Sequence, residues 1–222
     1  MAKRRPDSLV LLCALPPEAV AARLGIGRSR RRASRPAGHS RVRLTGMGPL
    51  KARQAASRLA SSLPDGVPVV VVGVGGALVK GFEAGDLVVA SAFGTANEGP
   101  GGGLQVVLPP TPLDERSRDL AQRLREALAE RFASATSAPL LSAGRTARGP
   151  ERALLGRSGA VICDTESAWL ARLAERRPFA VVRSIVDTPE RELFSLQTVT
   201  GGVRGLKRLA DASEIIADVL AG

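Results

Sequence analysis

The chain has 222 residues, 44% hydrophobic and 24% charged. That composition is ordinary for one folded domain and excludes collagen-like, disulfide-scaffold and disordered classes. There are 32 basic residues, 28 of them arginine, against 21 acidic ones, a formal charge of +11, but aromatic residues make up only 3%. A core must therefore be built from Ala, Val and Leu. The positive charge would attract nucleic acid, but with so few stacking surfaces and no recognition motif a nucleic-acid binder is disfavoured.

In chain order, Leu9–Leu15 reads as a buried strand. It follows Lys3, Arg4 and Arg5, as the apolar part of a signal peptide would, but breaks at Pro16-Pro17, and no apolar run approaches the roughly 20 residues that span a bilayer. Glu18–Leu24 predicts a short helix, and residues 27–38 (GRSRRRASRPAG) a basic loop. Arg41–Thr45 is a strand that runs into Gly46-Met47-Gly48-Pro49. The helix Leu50–Ser61 follows, with Pro49 suited to its first turn. Residues 67–72 (VPVVVV) are a near-continuous β-branched run, as in a strand covered on both faces, and end in a glycine-rich turn, residues 73–78 (GVGGAL).

Asp86–Ala92 is a further strand, and residues 94–112, with GPGGG and two Pro-rich turns, read as a surface loop. Leu113, Leu120, Leu124 and Leu128 form one stripe of a helix over Asp114–Arg131. Strands are expected at Ala138–Ser142, Ala160–Cys163 and Phe179–Val186, and helices at Glu166–Arg176 and 204–220. This alternation predicts a single α/β domain over 1–222 with a mixed, mostly parallel central sheet flanked by helices.

Ligands of such folds sit at the carboxyl ends of the strands. Those ends supply Glu18, Asp164, Glu166 and Asp187, together with two glycine-rich turns that expose backbone N–H groups. Carboxylates around one ligand suit glycosyl transfer, whose oxocarbenium transition state is stabilised by negative charge and whose leaving group needs a proton. A nicotinamide site is disfavoured, because Leu78 breaks the GxGxxG spacing. His39 is the sole histidine, and Cys13 and Cys163 lie in separate apolar runs. Little is left for a metal site or a histidine-based nucleophile, and the cysteines read as buried thiols of a cytoplasmic protein.

The stretches LLCALPPEAV (11–20), LTGMGPLKARQAA (44–56), VVGVGGALVKGFEAGDLVVAS (71–91), ICDTESAWLA (162–171) and PFAVVRSIVDTP (178–189) carry a family resemblance. Their order is similar to the purine nucleoside phosphorylase and nucleosidase superfamily, especially the methylthioadenosine/adenosylhomocysteine nucleosidases. Within it the chain most resembles the bacterial hopanoid-associated phosphorylases, to which release of adenine from adenosylhopane is ascribed. The resemblance implies that Asp187 is the general acid for purine N7 and that Glu166 holds the ribose hydroxyls. It also implies that Glu18 and Asp164 lie near the attacking water and that Gly75 and Gly76 lie beside base and ribose. Val74, Thr165, Gly46 and Met47 complete the implied substrate-binding set. Trp169 and Phe179 flank the motifs and read as core.

Several positions depart from the pattern. Val74 stands where relatives have Ser. Val71 and Glu18 stand where phosphorylases have Arg, and Thr165 replaces Met. S-A-G-R-T (142–146) lacks the aromatic of the nucleosidase S-G-D-A-F. A dianionic phosphate needs cationic or N–H donors. Glu18 would repel it, so water is favoured over phosphate as nucleophile, although Arg43, Arg145 and Arg183 are candidate cations. The expectation is therefore cleavage of a purine nucleoside, with adenine and a 5′ substituent, without metal or organic cofactor, by a self-associating protein. A non-catalytic nucleoside binder and a basic nucleic-acid-binding protein are the alternatives.

Overall fold

The computed structural model describes residues 7–32, 39–191 and 196–221. The elements are β1 (Asp7–Cys13), α1 (Pro16–Arg32), β2 (His39–Leu44), α2 (Pro49–Ser62), β3 (Val69–Ala77), β4 (Leu87–Glu98) and β5 (Leu104–Pro112). Then come α3 (Glu115–Arg131), β6 (Thr136–Ala143), α4 (Pro150–Gly156), β7 (Ile162–Asp164), α5 (Ser167–Leu170), a 3-10 turn (Ala171–Glu175), β8 (Phe179–Asp187) and α6 (Leu196–Ala221).

The strands form one mixed sheet in the order β2-β1-β3-β7-β6-β4-β5, with β8 joining β3 to β4. Because β3 pairs with both β7 and β8, and β8 with β4, the strands β3-β8-β4-β6-β7 close on themselves. The pairings β1-β2, β1-β3, β3-β8, β4-β6 and β6-β7 are parallel; β3-β7, β4-β5 and β4-β8 are antiparallel. Strand closure brings the ends of β3, β7 and β8 together, and the site is built there.

Local chemistry explains the elements that match expectation. Val69–Val72 of β3 are all buried, as a run of β-branched residues covered on both faces requires. Gly48, at φ 91°, lets the chain turn into α2 with Pro49 in its first turn. Asp114 caps α3 by accepting a hydrogen bond from the Ser117 N–H at 3.2 Å, and the Leu113/Leu120/Leu124/Leu128 stripe is buried. Phe179 and Trp169 are core residues, Phe179 meeting Phe93 edge-on with ring centroids 5.8 Å apart. Both cysteines are buried free thiols.

Four expectations are corrected. Residues 73–77 are not a turn but the continuation of β3, and none of Gly73, Gly75 and Gly76 has positive φ. Residues 94–112 are mostly strand: β4 runs on to Glu98, GPGGG (99–103) makes a hairpin, and β5 returns at the sheet edge. An edge position tolerates Pro109, Pro110 and Pro112 because one side of the strand has no ladder to complete. The helix expected over Glu166–Arg176 is split into α5 and the 3-10 turn, and α4 was not foreseen. The basic loop is in part helix: residues 27–32 belong to α1, while 33–38 lie outside the described residues.

The last correction has a physical cause in α6. Gly25 packs so closely on that helix that a methyl there would sit 2.2 Å from the Ala210 carbonyl oxygen. Beyond it, Arg28 pairs with Asp211 at 2.8 Å, and both Arg28 and Arg32 pair with Glu214, whose side chain is only 1% exposed. Arg131 of α3 completes the ring around that carboxylate at 3.9 Å. The arginine run thus continues a helix because its partners lie on an element at the other end of the chain. Among the described residues no helix is long and apolar enough to cross a membrane.

Gly25→Ala tests the close helix contact. Overpacking costs about 1–3 kcal/mol, against at most about 1 kcal/mol gained in helix propensity. The variant should melt roughly 2–6 °C lower. An unchanged melting temperature would mean that α1 and α6 have room for the methyl.

Candidate active site

The ends of β1, β3, β7 and β8, with α1 and α4, enclose a cavity of about 330 Å³. That volume lies at the small end of the range typical for small-molecule sites, about 300–1,000 Å³. Glu18, Glu166, Asp164 and Asp187 all line it, with Val74, Gly75, Gly76, Thr165 and Met47. The acids scattered through the sequence therefore meet in one place.

Glu18 stands in the first turn of α1, and its carboxylate turns back across the strand ends. Oε2 accepts from the N–H groups of Ala14 and Leu15 at 3.0 and 2.9 Å, and Oε1 accepts from that of Val74 at 2.9 Å. The side chain ties the end of β1 to β3 while Oε1 keeps acceptor capacity toward the cavity. The Cys13 thiol beside it is pushed up to about 12 by burial, with Glu18 adding to the effect, and is no nucleophile at neutral pH.

Arg183 of β8 lies beneath the acids, fully buried. Its Nε and Nη2 donate to Asp164 Oδ2 at 2.9 and 2.5 Å, and Nη2 also reaches Ser167 Oγ at 2.9 Å and Glu166 Oε2 at 3.5 Å. Burial alone would disfavour the cation, but Asp164, Glu166 and Glu18 more than offset this and raise its pKa. Glu166 is raised above the ordinary carboxylate value, chiefly by burial and further by Asp164, with Arg183 opposing. Glu166 Oε1 also accepts from the Gly48 N–H at 3.0 Å and from the Thr165 hydroxyl, so the turn before α2 orients it.

Asp164 has a different task from the one its resemblance implied. Oδ1 accepts from Ser142 Oγ at 2.5 Å and from the N–H groups of Glu166 and Ser167 at 3.1 and 3.2 Å. Oδ2 takes Ser167 Oγ as well as the two Arg183 donors. Six donors exceed the roughly four lone-pair positions of a carboxylate. Asp164 therefore caps the chain before α5 and anchors Arg183, leaving no acceptor position for a nucleophile.

At the other end Asp187 closes β8. The β3–β8 register shifts between Gly75 and Gly76, so that Ile185 pairs with Gly75 and Asp187 with Gly76, leaving Val186 as the extra residue. Such a bulge re-aims the side chain that follows it. Asp187 is 2% exposed and forms an ion pair through Oδ2 with Nη2 of Arg152, a residue of α4 that also lines the cavity. Arg152 Nη1 donates to the Ala77 carbonyl at 2.7 Å.

The glycines of β3 are explained by what crosses them. A methyl on Gly73 would lie 2.1 Å from Arg183 Nη1 and 2.7 Å from Glu18 Oε1; one on Gly76 would lie 2.6 Å from Asp187 Oδ1 and 3.1 Å from Arg152 Nη1. They serve close approach of charged groups rather than a turn. Of the other expected residues, Gly46 is off the cavity: it is a positive-φ turn residue at 81° packed on the Lys51 side chain. None of the three candidate cations lines the cavity: Arg183 lies below it, Arg43 is exposed, and Arg145 is bonded to Glu98 and Glu151. Sequence reasoning missed Arg152, one arginine among 28, in a segment assigned no element.

The sequence model of the phosphorylase superfamily matches residues 38–211. The chain belongs to the phosphorylase superfamily. Solved structures sharing the fold of this superfamily member include the Streptococcus pyogenes S-adenosylhomocysteine nucleosidase, with 14% identity, TM-score 0.72 and 98% of each chain covered. The Streptococcus pneumoniae 5′-methylthioadenosine/S-adenosylhomocysteine nucleosidase, solved with a transition-state inhibitor, shares 15% identity at TM-score 0.69, over 96% of this chain and 99% of that one. The futalosine hydrolase of Helicobacter pylori shares 18% at TM-score 0.68 over 96% of both. A search of curated proteins returned no match.

In this superfamily member one wall of the cavity, Thr146 and Ala147, is held by a surface latch. Arg145 donates to Glu98 at 2.7 Å and to both oxygens of Glu151 at 2.6 and 2.8 Å, and Glu151 accepts from the Leu104 N–H of β5 at 3.1 Å. The hydrogen bond from Arg145 is the main cause that lowers Glu151 from 4.5 to about 2. A depressed carboxylate stabilises the fold above its unfolded pKa, and that contribution is lost as pH falls through the folded value. Glu151→Gln should therefore lower the melting temperature at pH 7, with the deficit shrinking between pH 4.5 and about 2. A deficit independent of pH across that window would assign the loss to packing instead.

Proposed function

We propose that this protein cleaves the N-glycosidic bond of a purine nucleoside, with water as nucleophile. The observation that carries this reading is that Glu166 and Asp187 open onto the same cavity, with Glu18 on its wall. The base lies at the Asp187 end, and the ribose lies against Glu166. As the C1′–N9 bond breaks, its electron pair moves into the purine and the Asp187 carboxyl proton passes to N7. The cationic sugar that remains lies among carboxylates, where charge developing in the transition state is stabilised. Water held by Glu18 Oε1 adds to C1′ and passes its proton to the Glu18 carboxylate, yielding free base and a ribose with a reducing end.

Water rather than phosphate is supported by the sign of the local charge. Glu18, Asp164 and Glu166 outnumber the one guanidinium beneath them, and Arg183 is committed to its carboxylates. A dianion would meet net negative charge there. The family resemblance favours adenine carrying a 5′ substituent, with the 5′-modified adenosine of the hopanoid-associated group as one member of the panel to assay. It also carries the expectation of a cytoplasmic homo-oligomer, which sedimentation of the purified protein tests.

Asp187→Asn should lower base release from adenine nucleosides by about 100-fold or more, the usual scale of general-acid assistance. Activity within about threefold of wild type would remove Asp187 from that role. Product analysis in phosphate buffer should give free ribose derivative; ribose 1-phosphate would establish phosphate as the nucleophile.

A further inference from the structure

The general acid is not alone at its end of the cavity. Arg152 is 3% exposed, and its two terminal nitrogens reach different acceptors: Nη1 donates to the Ala77 carbonyl at 2.7 Å and Nη2 pairs with Asp187 Oδ2. One acceptor is backbone, at the last residue of β3, so the guanidinium has a fixed position. The other is the carboxylate that must meet the base. The second oxygen, Oδ1, lies over the bare face of Gly76, 2.6 Å from where a methyl there would stand. A planar guanidinium can serve two acceptors in fixed directions in this way, whereas an ammonium is a single point.

We propose that Arg152 is a positioning residue for Asp187: it holds Oδ2 against β3, so that Oδ1 carries the proton to the purine over Gly76. The inference rests on the nucleoside-cleavage reading and adds to it a residue outside the motifs. In the step, the Oδ1–H bond breaks as the N7–H bond forms, and the C1′–N9 pair goes to the base. The guanidinium favours the ionised carboxyl, so it makes Asp187 the stronger acid while the proton is on Oδ1 and stabilises, without rearrangement, the charge left when the proton has gone. Arg152 itself neither gives nor takes a proton. A carboxyl group free to rotate would present either oxygen, in geometries of which few are productive.

The test is a double-mutant cycle on base release from adenine nucleosides, using R152M, R152K and D187N. R152M should lower kcat by about 10–100-fold while KM stays within about threefold, because orientation of the acid matters to the reacting atoms more than to binding. R152K, which keeps a cation at the site, should recover part of the loss. In the D187N background R152M should change kcat by less than about threefold, because the group it orients no longer gives a proton. An unchanged kcat in R152M, or the same loss with and without Asp187, overturns the proposal. Should R152M fail to fold, R152K decides through the same cycle: a loss that disappears in D187N supports positioning, and one that persists overturns it. Wild-type protein that releases no base from any nucleoside overturns the cleavage reading and this inference with it. Base release by wild type, with Arg152 uncoupled from Asp187, overturns the inference alone.

Discussion

The site depends on a guanidinium that never meets solvent. Arg183 bonds Asp164, contacts Glu166 and lies close enough to Glu18 to feel its charge. Three carboxylates buried near one another would repel and be driven toward their neutral forms. With Arg183 among them they share a cation, and Asp164 is further satisfied by two serine hydroxyls and two backbone N–H groups. The cluster is held by hydrogen bonds at every position rather than by charge alone, the condition under which buried ionic groups are tolerable. One guanidinium does not cancel three acids. The excess negative potential faces the cavity, and it is this residue of charge that suits a sugar cation.

The same constraint dictates the backbone beneath. Arg183 and Glu18 cross β3 at Gly73; Asp187 and Arg152 cross it at Gly76. Any side chain at either position would displace a charged head, so the strand must be bare where the two halves of the site pass over it. The closed arrangement of β3, β8, β4, β6 and β7 explains why charged groups from β8 and α4 reach β3 at all. The bulge at Val186 sets Asp187 opposite Gly76 and not one residue earlier. Fold closure, glycine placement and acid geometry are thus one arrangement.

The sequence made the strong local patterns legible. The valine run of β3, the leucine stripe of α3 and the glycine–proline entry to α2 each depend on residues a few positions apart. So did the acids at strand ends, because alternating strands and helices already place those ends on one side. What stayed hidden depends on distant partners. Residues 27–32 look like a basic loop until Asp211 and Glu214 are seen across from them. Pro109 and Pro110 argue against a strand until β5 is placed at the sheet edge. The glycines of β3 imitate a phosphate-binding turn, because glycine has the same signature whether it frees φ or makes room. Asp164 matched a family acid in position, yet its six donors come from β6, α5 and β8 as well as its own turn. Arg152 had no local signal, since what marks it is an ion pair with Asp187, 35 residues further along the chain.

The cavity is electrically unsymmetrical, and in the proposed reaction that sets which way a nucleoside would lie. One end holds Glu18 and Glu166 above a single shared guanidinium; at the other, Asp187 forms an ion pair with Arg152. In glycosidic cleavage, positive charge grows on the sugar and electron density grows on the base. A sugar placed beside Arg152 would have its cation opposed by the guanidinium, and a base placed beside Glu18 would have its anion opposed by the carboxylate. Only the orientation with ribose at the acid-rich end and base at the paired end lets both charges develop downhill. The two ends therefore act together: the excess of carboxylates would be of little use without a cation at the leaving-group end, and Arg152 would hinder the reaction if it stood anywhere nearer the sugar.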